Sequence, residues 1–187
     1  MHLRNIRFAV ISCSCCLLIL MPWLASLADD SESVEVRIAR AISAAPVEIS
    51  DNATVMDVDG TVLRAGSNGW TCLPGVSLMP GDTHPMCNDA TWMEFMQAAA
   101  EGQPYAVEAI GYSYMLMGDA LVNNDDPGAT DPNDGGVWVE EGPHLMLLMP
   151  PSMLEGVNRD PFAGGPYVMW GETPLAHVMV PIASQPE

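Results

Sequence analysis

Two cysteines, Cys72 and Cys87, constrain this chain more than any other feature. The segment between them holds three prolines and two glycines, so it can form neither a helix nor a long strand. A crosslink is what such a segment needs to stay ordered. The three other cysteines, Cys13, Cys15 and Cys16, crowd into the first sixteen residues, which leaves one even pair in the body of the chain. An even pair in an exported protein reads as a disulfide. From Cys72 to Cys87 inclusive the closed loop is 16 residues, for which loop-closure entropy gives about 3 kcal/mol. Two unlinked buried thiols, or a thiolate metal site, are the weaker alternatives.

Export is itself an expectation from the N-terminus. Arg4, Arg7 and His2 form a basic start, and Phe8 to Leu20 is apolar and is followed by Pro22. Ser26 and Ala28 then place small residues where signal peptidase needs them, with Asp29-Asp30 directly after. Residues 1–28 are therefore expected to be a signal peptide, and residues 29–187 a single exported domain, periplasmic or extracellular. The run to Ala28 is also just long enough for an uncleaved anchor. A lipid on Cys13 ranks third, because too few apolar residues precede it.

Charge narrows the partners. The 187 residues carry 24 acidic side chains against six arginines and no lysine, a formal net charge of −18. Nucleic acid needs clustered cations to displace its counterions, and anionic lipid needs the same, so both are excluded as expected partners. Apolar residues make up 49% of the chain, enough for a buried core. A small ligand, a metal ion or a protein partner remains open.

Periodicity predicts two main helices. Val34, Ile38, Ala41 and Ile42 share one face of a helix over about 32–44, with Pro46 ending it. Trp92, Phe95, Met96 and Ala99 do the same over about 90–100, capped by Asn88 or Asp89 and followed by Gly102. Asp59-Gly60, flanked by two β-prone runs, is a hairpin signal. Further strands are expected at 70–72, from 110, and at 137–139, 145–149, 167–170 and 176–182. Residues 121–136 read as a polar loop, and 152–156 as a short helix. Hairpin-length links favour an α+β fold with an antiparallel sheet over a parallel βαβ stack.

Several segments together resemble an uncharacterised family of exported bacterial proteins. They are Asn68-Gly-Trp-Thr-Cys72, Pro85-Met-Cys87 with Asp89, Gly142-Pro-His144, Pro166-Tyr-Val-Met-Trp170 and His177-Val-Met-Val-Pro181. The resemblance implies an exported single domain. It carries over no activity and no catalytic residue.

Each histidine beyond the leader is followed two positions later by methionine: His84 by Met86, His144 by Met146, His177 by Met179. On a strand, positions i and i+2 share a face, so imidazole nitrogen and thioether sulfur can converge. That donor set suits Cu(I). Against it, methionine is an adaptable core filler, and a core-edge histidine produces the same pattern.

A second metal candidate is the acidic loop. Asp125, Asp126, Asp131 and Asp134, with Asp119 and nearby asparagines, offer the hard oxygen ligands that calcium takes. Asp131, Asn133 and Gly136 match an EF-hand start, but Gly135 and Gly142 fall where ligands belong. Solvated Asx turns explain the same composition.

The sequence contains no Gly-x-Ser-x-Gly, His-Glu-x-x-His, Walker or Gly-x-Gly-x-x-Gly motif. His144 with Glu140 or Glu141 is the best acid–base pairing, and a small hydrolytic enzyme is the alternative function. Trp92 and Trp170 read as core anchors, while Trp138 is left open. The leading expectation is a non-enzymatic, disulfide-stapled acidic domain that acts as a binding or interaction module, with copper or calcium as the candidate metal.

Overall fold

The computed structural model describes residues 32–76 and 82–183. The expected signal peptide and its cleavage point lie outside these residues. Among the described residues no helix is long and apolar enough to cross a membrane.

The first helix, α1 (Val34–Ile42), starts at Ser33, whose hydroxyl accepts the Val36 N–H. It stops before Pro46, as expected, but a four-residue helix, α2 (Val47–Ser50), follows at once. Pro46 fits immediately before a helix because the missing N–H would have had no partner there. Next come β1 (Thr54–Met56) and β2 (Val62–Arg64), which pair antiparallel around the Asp59-Gly60 turn. Strand β3 (Thr71–Leu73) then pairs parallel to β1 and antiparallel to β4 (Met86–Asn88).

Cys72 and Cys87 stand directly opposite each other on β3 and β4, joined by a disulfide with Cα atoms 4.0 Å apart. Arg40 of α1 donates from Nε to the Pro74 carbonyl and pairs with Glu32, tying the helix to the start of the stapled loop. Arg37 pairs with Asp57, linking the helix to the hairpin. The alanines 41, 44, 45 and 53 pack with Val55 and both half-cystines into one buried cluster. Small side chains let α1 lie close on the disulfide side of the sheet.

The opposite side belongs to α3 (Ala90–Ala100), which begins at Asp89, whose Oδ1 accepts the Trp92 N–H at 2.8 Å. It packs on β4 and on β5 (Gly111–Met115). Gly111 is where they touch: a Cβ there would lie 3.1 Å from Thr91 Cγ2 and 3.3 Å from Leu148 Cβ. Strands β6 (Leu121–Asn123) and β7 (Trp138–Glu140) form a separate two-stranded sheet. The chain then returns through β8 (His144–Leu148), β9 (Tyr167–Met169) and β10 (His177–Pro181). The main sheet has eight strands in the order β2-β1-β3-β4-β5-β8-β10-β9, antiparallel except for β1 with β3. The fold of the described residues is thus mixed helix and sheet, mostly antiparallel, with three α-helices among them.

Two local expectations are corrected. The stretch 121–136 is not all loop, because Leu121–Asn123 forms β6, a strand of three residues that runs straight into the Asp- and Asn-rich stretch. The helix expected at 152–156 is a 3-10 turn at Pro151–Met153, held by the Met153 and Leu154 N–H groups donating to the Pro150 and Pro151 carbonyls, and Gly156 at φ +82° turns the chain away directly after it.

Candidate functional site

Strand register determines what faces α3. Side chains alternate across a strand, so paired residues in register share a face. Asn88 opposes Ser113, Ser113 opposes Met146, Met146 opposes Met179, and Met179 opposes Tyr167. Flanking this row, Met115 opposes His144 and His177 opposes Met169. Every one of these side chains is buried.

Five of the residues singled out from the sequence therefore lie on one sheet face: Met86, His144, Met146, His177 and Met179. His84 does not join them. It precedes β4, is partly exposed, and turns its Nδ1 to Asp82 Oδ1 at 2.7 Å.

Both buried imidazoles are held in the same way. His144 Nδ1 bonds the Gly142 carbonyl at 2.7 Å, and His177 Nδ1 bonds the Leu175 carbonyl at 2.9 Å. A carbonyl only accepts, so each Nδ1 carries the proton and each Nε2 presents a lone pair. Both Nε2 atoms are buried without a hydrogen-bond partner. Burial disfavours the charged rings: His144 is lowered from its usual range and His177 is lowered to about 4, against a weak opposing pull from the backbone carbonyls. Asn88 Oδ1 and Ser113 Oγ, on the same face, are likewise unpartnered, although Asn88 Nδ2 donates to the sulfurs of Met93 and Met96.

Between this face and α3 lies a cavity of about 390 Å³. Its wall includes the side chains of Met86, Met96, Met115, Met146 and Met169, with Trp92, Trp170 and His177. Trp170 sits at φ +53°, a conformation that an L-residue of this bulk occupies only under constraint. Its indole N–H donates to the Asn123 carbonyl at 2.7 Å, and its backbone N–H to the Asn124 carbonyl at 2.9 Å. The ribbon β6–β7 thereby pins the residue that closes one side of the cavity.

The acidic loop behaves differently. Asp126 Oδ1 accepts from the Gly128 N–H, and Asp131 Oδ1 from the Asn133 N–H, the geometry of Asx turns. Asn123 Oδ1 accepts the amides of Asp125 and Asp126. Asp134 lies in a 3-10 turn, Pro132–Asp134. Among the described residues, the one group of three His, Cys, Asp or Glu side chains close enough to hold an ion lies elsewhere, at Asp82, His84 and Asp119.

For the acid–base pairing, Glu140 is exposed and Glu141 Oε1 accepts the Tyr167 hydroxyl at 2.8 Å. His144 bonds neither glutamate, since its Nδ1 goes to Gly142 and its Nε2 has no partner. Burial, followed by the Glu141 charge, raises the Tyr167 hydroxyl far above its usual range.

Asp119 joins the polar and apolar regions, because it both lines the cavity and belongs to the Asp82–His84 group. Its Oδ1 accepts the Ala120 N–H at 2.7 Å. Burial nonetheless pushes it up to about 6, with Asp82 and Glu141 adding to the rise and His84 opposing it. Sequence reading missed Asp82 and assigned Asp119 to the loop. Asp82-Thr-His84 was the available local signal, two potential ligands at i and i+2.

No family model matches the chain, and no curated protein or solved structure matches it either.

Proposed function

We propose that this domain is an exported binding module for a soft cation, reduced copper, taken up in the cavity beneath α3. The observation that carries the reading is His177: a buried neutral imidazole, Nδ1 committed to a backbone carbonyl and Nε2 without a partner, in the wall of a cavity rich in thioether sulfur. Orientation of a ligating ring through its other nitrogen is the arrangement that metal-binding histidines use. Thioether with imidazole is a soft donor set that favours Cu(I) over hard cations. The expected ligands are His177 Nε2 with the sulfurs of Met169, opposite it on β9, and of Met146, in the wall of the same cavity. The acidic surface favours any cation approaching the protein.

Competition against a chromogenic Cu(I) chelator tests this on the intact mature protein under reducing-metal, disulfide-preserving conditions. One equivalent of Cu(I) should bind, and His177→Ala and Met146→Ala should each weaken binding at least tenfold. Binding that is absent, or that is equal in all three proteins, rejects the reading.

A further inference from the structure

A different chemistry gathers at the rim of the cavity. Asp82, His84 and Asp119 offer one ligand atom each, all within 4.8 Å of one another. They come from two separate parts of the chain: the end of the stapled loop, and the segment that follows β5. Asp82 is the better buried of the first pair, with its side chain 3% exposed, and its Oδ1 accepts both the backbone N–H and the Nδ1 of His84. Asp119 is brought in by its own backbone, whose N–H donates to the Glu141 carbonyl at 2.9 Å.

Two carboxylates held together in a poorly solvated place repel each other unless a cation joins them. The protein supplies none beyond the His84 ring. Arg37 is paired with Asp57, Arg40 with Glu32 and Arg159 with Glu172, while Arg64 serves the carbonyls of Ser50 and Ala53. No arginine remains among the described residues, and the chain has no lysine. The mixed oxygen and nitrogen donors are borderline-hard, unlike the sulfur-rich cavity wall. Three protein ligands also leave a coordination position open, as in sites that hold zinc with a water.

We propose that Asp82, His84 and Asp119 form a binding site for a first-row divalent cation of the zinc type, separate from the soft-cation cavity that Asp119 borders. The site uses two carboxylate oxygens and one imidazole nitrogen, with water completing the shell.

Isothermal titration of Zn²⁺ into chelator-stripped mature protein is the test. One equivalent should bind, with His84→Ala and Asp119→Asn each lowering affinity at least tenfold, while His177→Ala leaves it unchanged. X-ray absorption at the zinc edge should show only oxygen and nitrogen neighbours. A sulfur shell, or zinc binding lost in His177→Ala and kept in His84→Ala, overturns the proposal. So does the absence of stoichiometric binding in a protein whose circular dichroism shows it folded. His84 is partly exposed, so His84→Gln provides a second folded variant that must also bind more weakly.

Discussion

His177 and Trp170 meet edge to face, with ring centroids 5.1 Å apart and planes inclined at 78°. Trp92 reaches the same imidazole from α3 at 5.6 Å. Two indoles and the Leu175 carbonyl leave the ring little freedom to turn toward water. Its basicity is accordingly low, and its orientation is fixed before any ligand arrives.

That burial makes stability depend on pH. An unfolded histidine titrates near 6.5, whereas folded His177 titrates near 4. Between those values the unfolded chain binds the extra proton, so stability is lost as pH falls through the window, by up to about 3 kcal/mol. His144 acts in the same sense. Urea unfolding at pH 7 and pH 4.5 should show His177→Phe losing less stability on acidification than the parent protein does, because Asp119 acts equally in both. Equal losses in the two proteins refute the assignment.

Asp119 works in the opposite direction. Its folded value of about 6 exceeds the ordinary 3.8, so between them the native state holds the extra proton and stability declines as pH rises. In metal-free protein, Asp119→Asn should therefore unfold at a higher temperature than the parent above pH 6. The advantage should fade below about pH 4. Calorimetry of both proteins across that range reads the difference directly.

Trp170 couples the small ribbon to the main sheet through the Asn123 and Asn124 carbonyls. Trp170→Phe keeps most of the apolar contact but leaves the Asn123 carbonyl short of its indole donor, a loss of about 1–3 kcal/mol. Amide hydrogen exchange should accelerate in β6 and β7 well before β4 and β5 respond. Uniform acceleration across both sheets contradicts this local role.

The crosslink between β3 and β4 should contribute about 3 kcal/mol through loop closure. Reduced protein, or Cys72→Ala/Cys87→Ala, should unfold at clearly lower denaturant. Alkylation after unfolding without reductant should label neither sulfur of native material.

Local signals served the sequence reading well. Asp89 caps the helix that follows it, and Asp59-Gly60 turns the hairpin, each within a few residues of its effect. That His144 shares a face with Met146, and His177 with Met179, was legible for a similar reason, because alternation within one strand is a property of neighbours. Pairing between distant strands was not legible. Nothing near Thr54 announces a parallel partner at Thr71, and β6 is only three residues long beside an Asp- and Asn-rich stretch. The Asp82–His84–Asp119 group escaped notice because Asp119 belongs in sequence to the acidic loop and reaches the others only through the sheet.

Gly111 does not line the cavity, yet it sets how near α3 lies to the strands beneath it. A single methyl there would crowd Thr91 of the helix and Leu148 of the neighbouring strand, each of which would have to give by a few tenths of an ångström. That close approach of helix to strand rests on a residue whose side chain is one hydrogen atom.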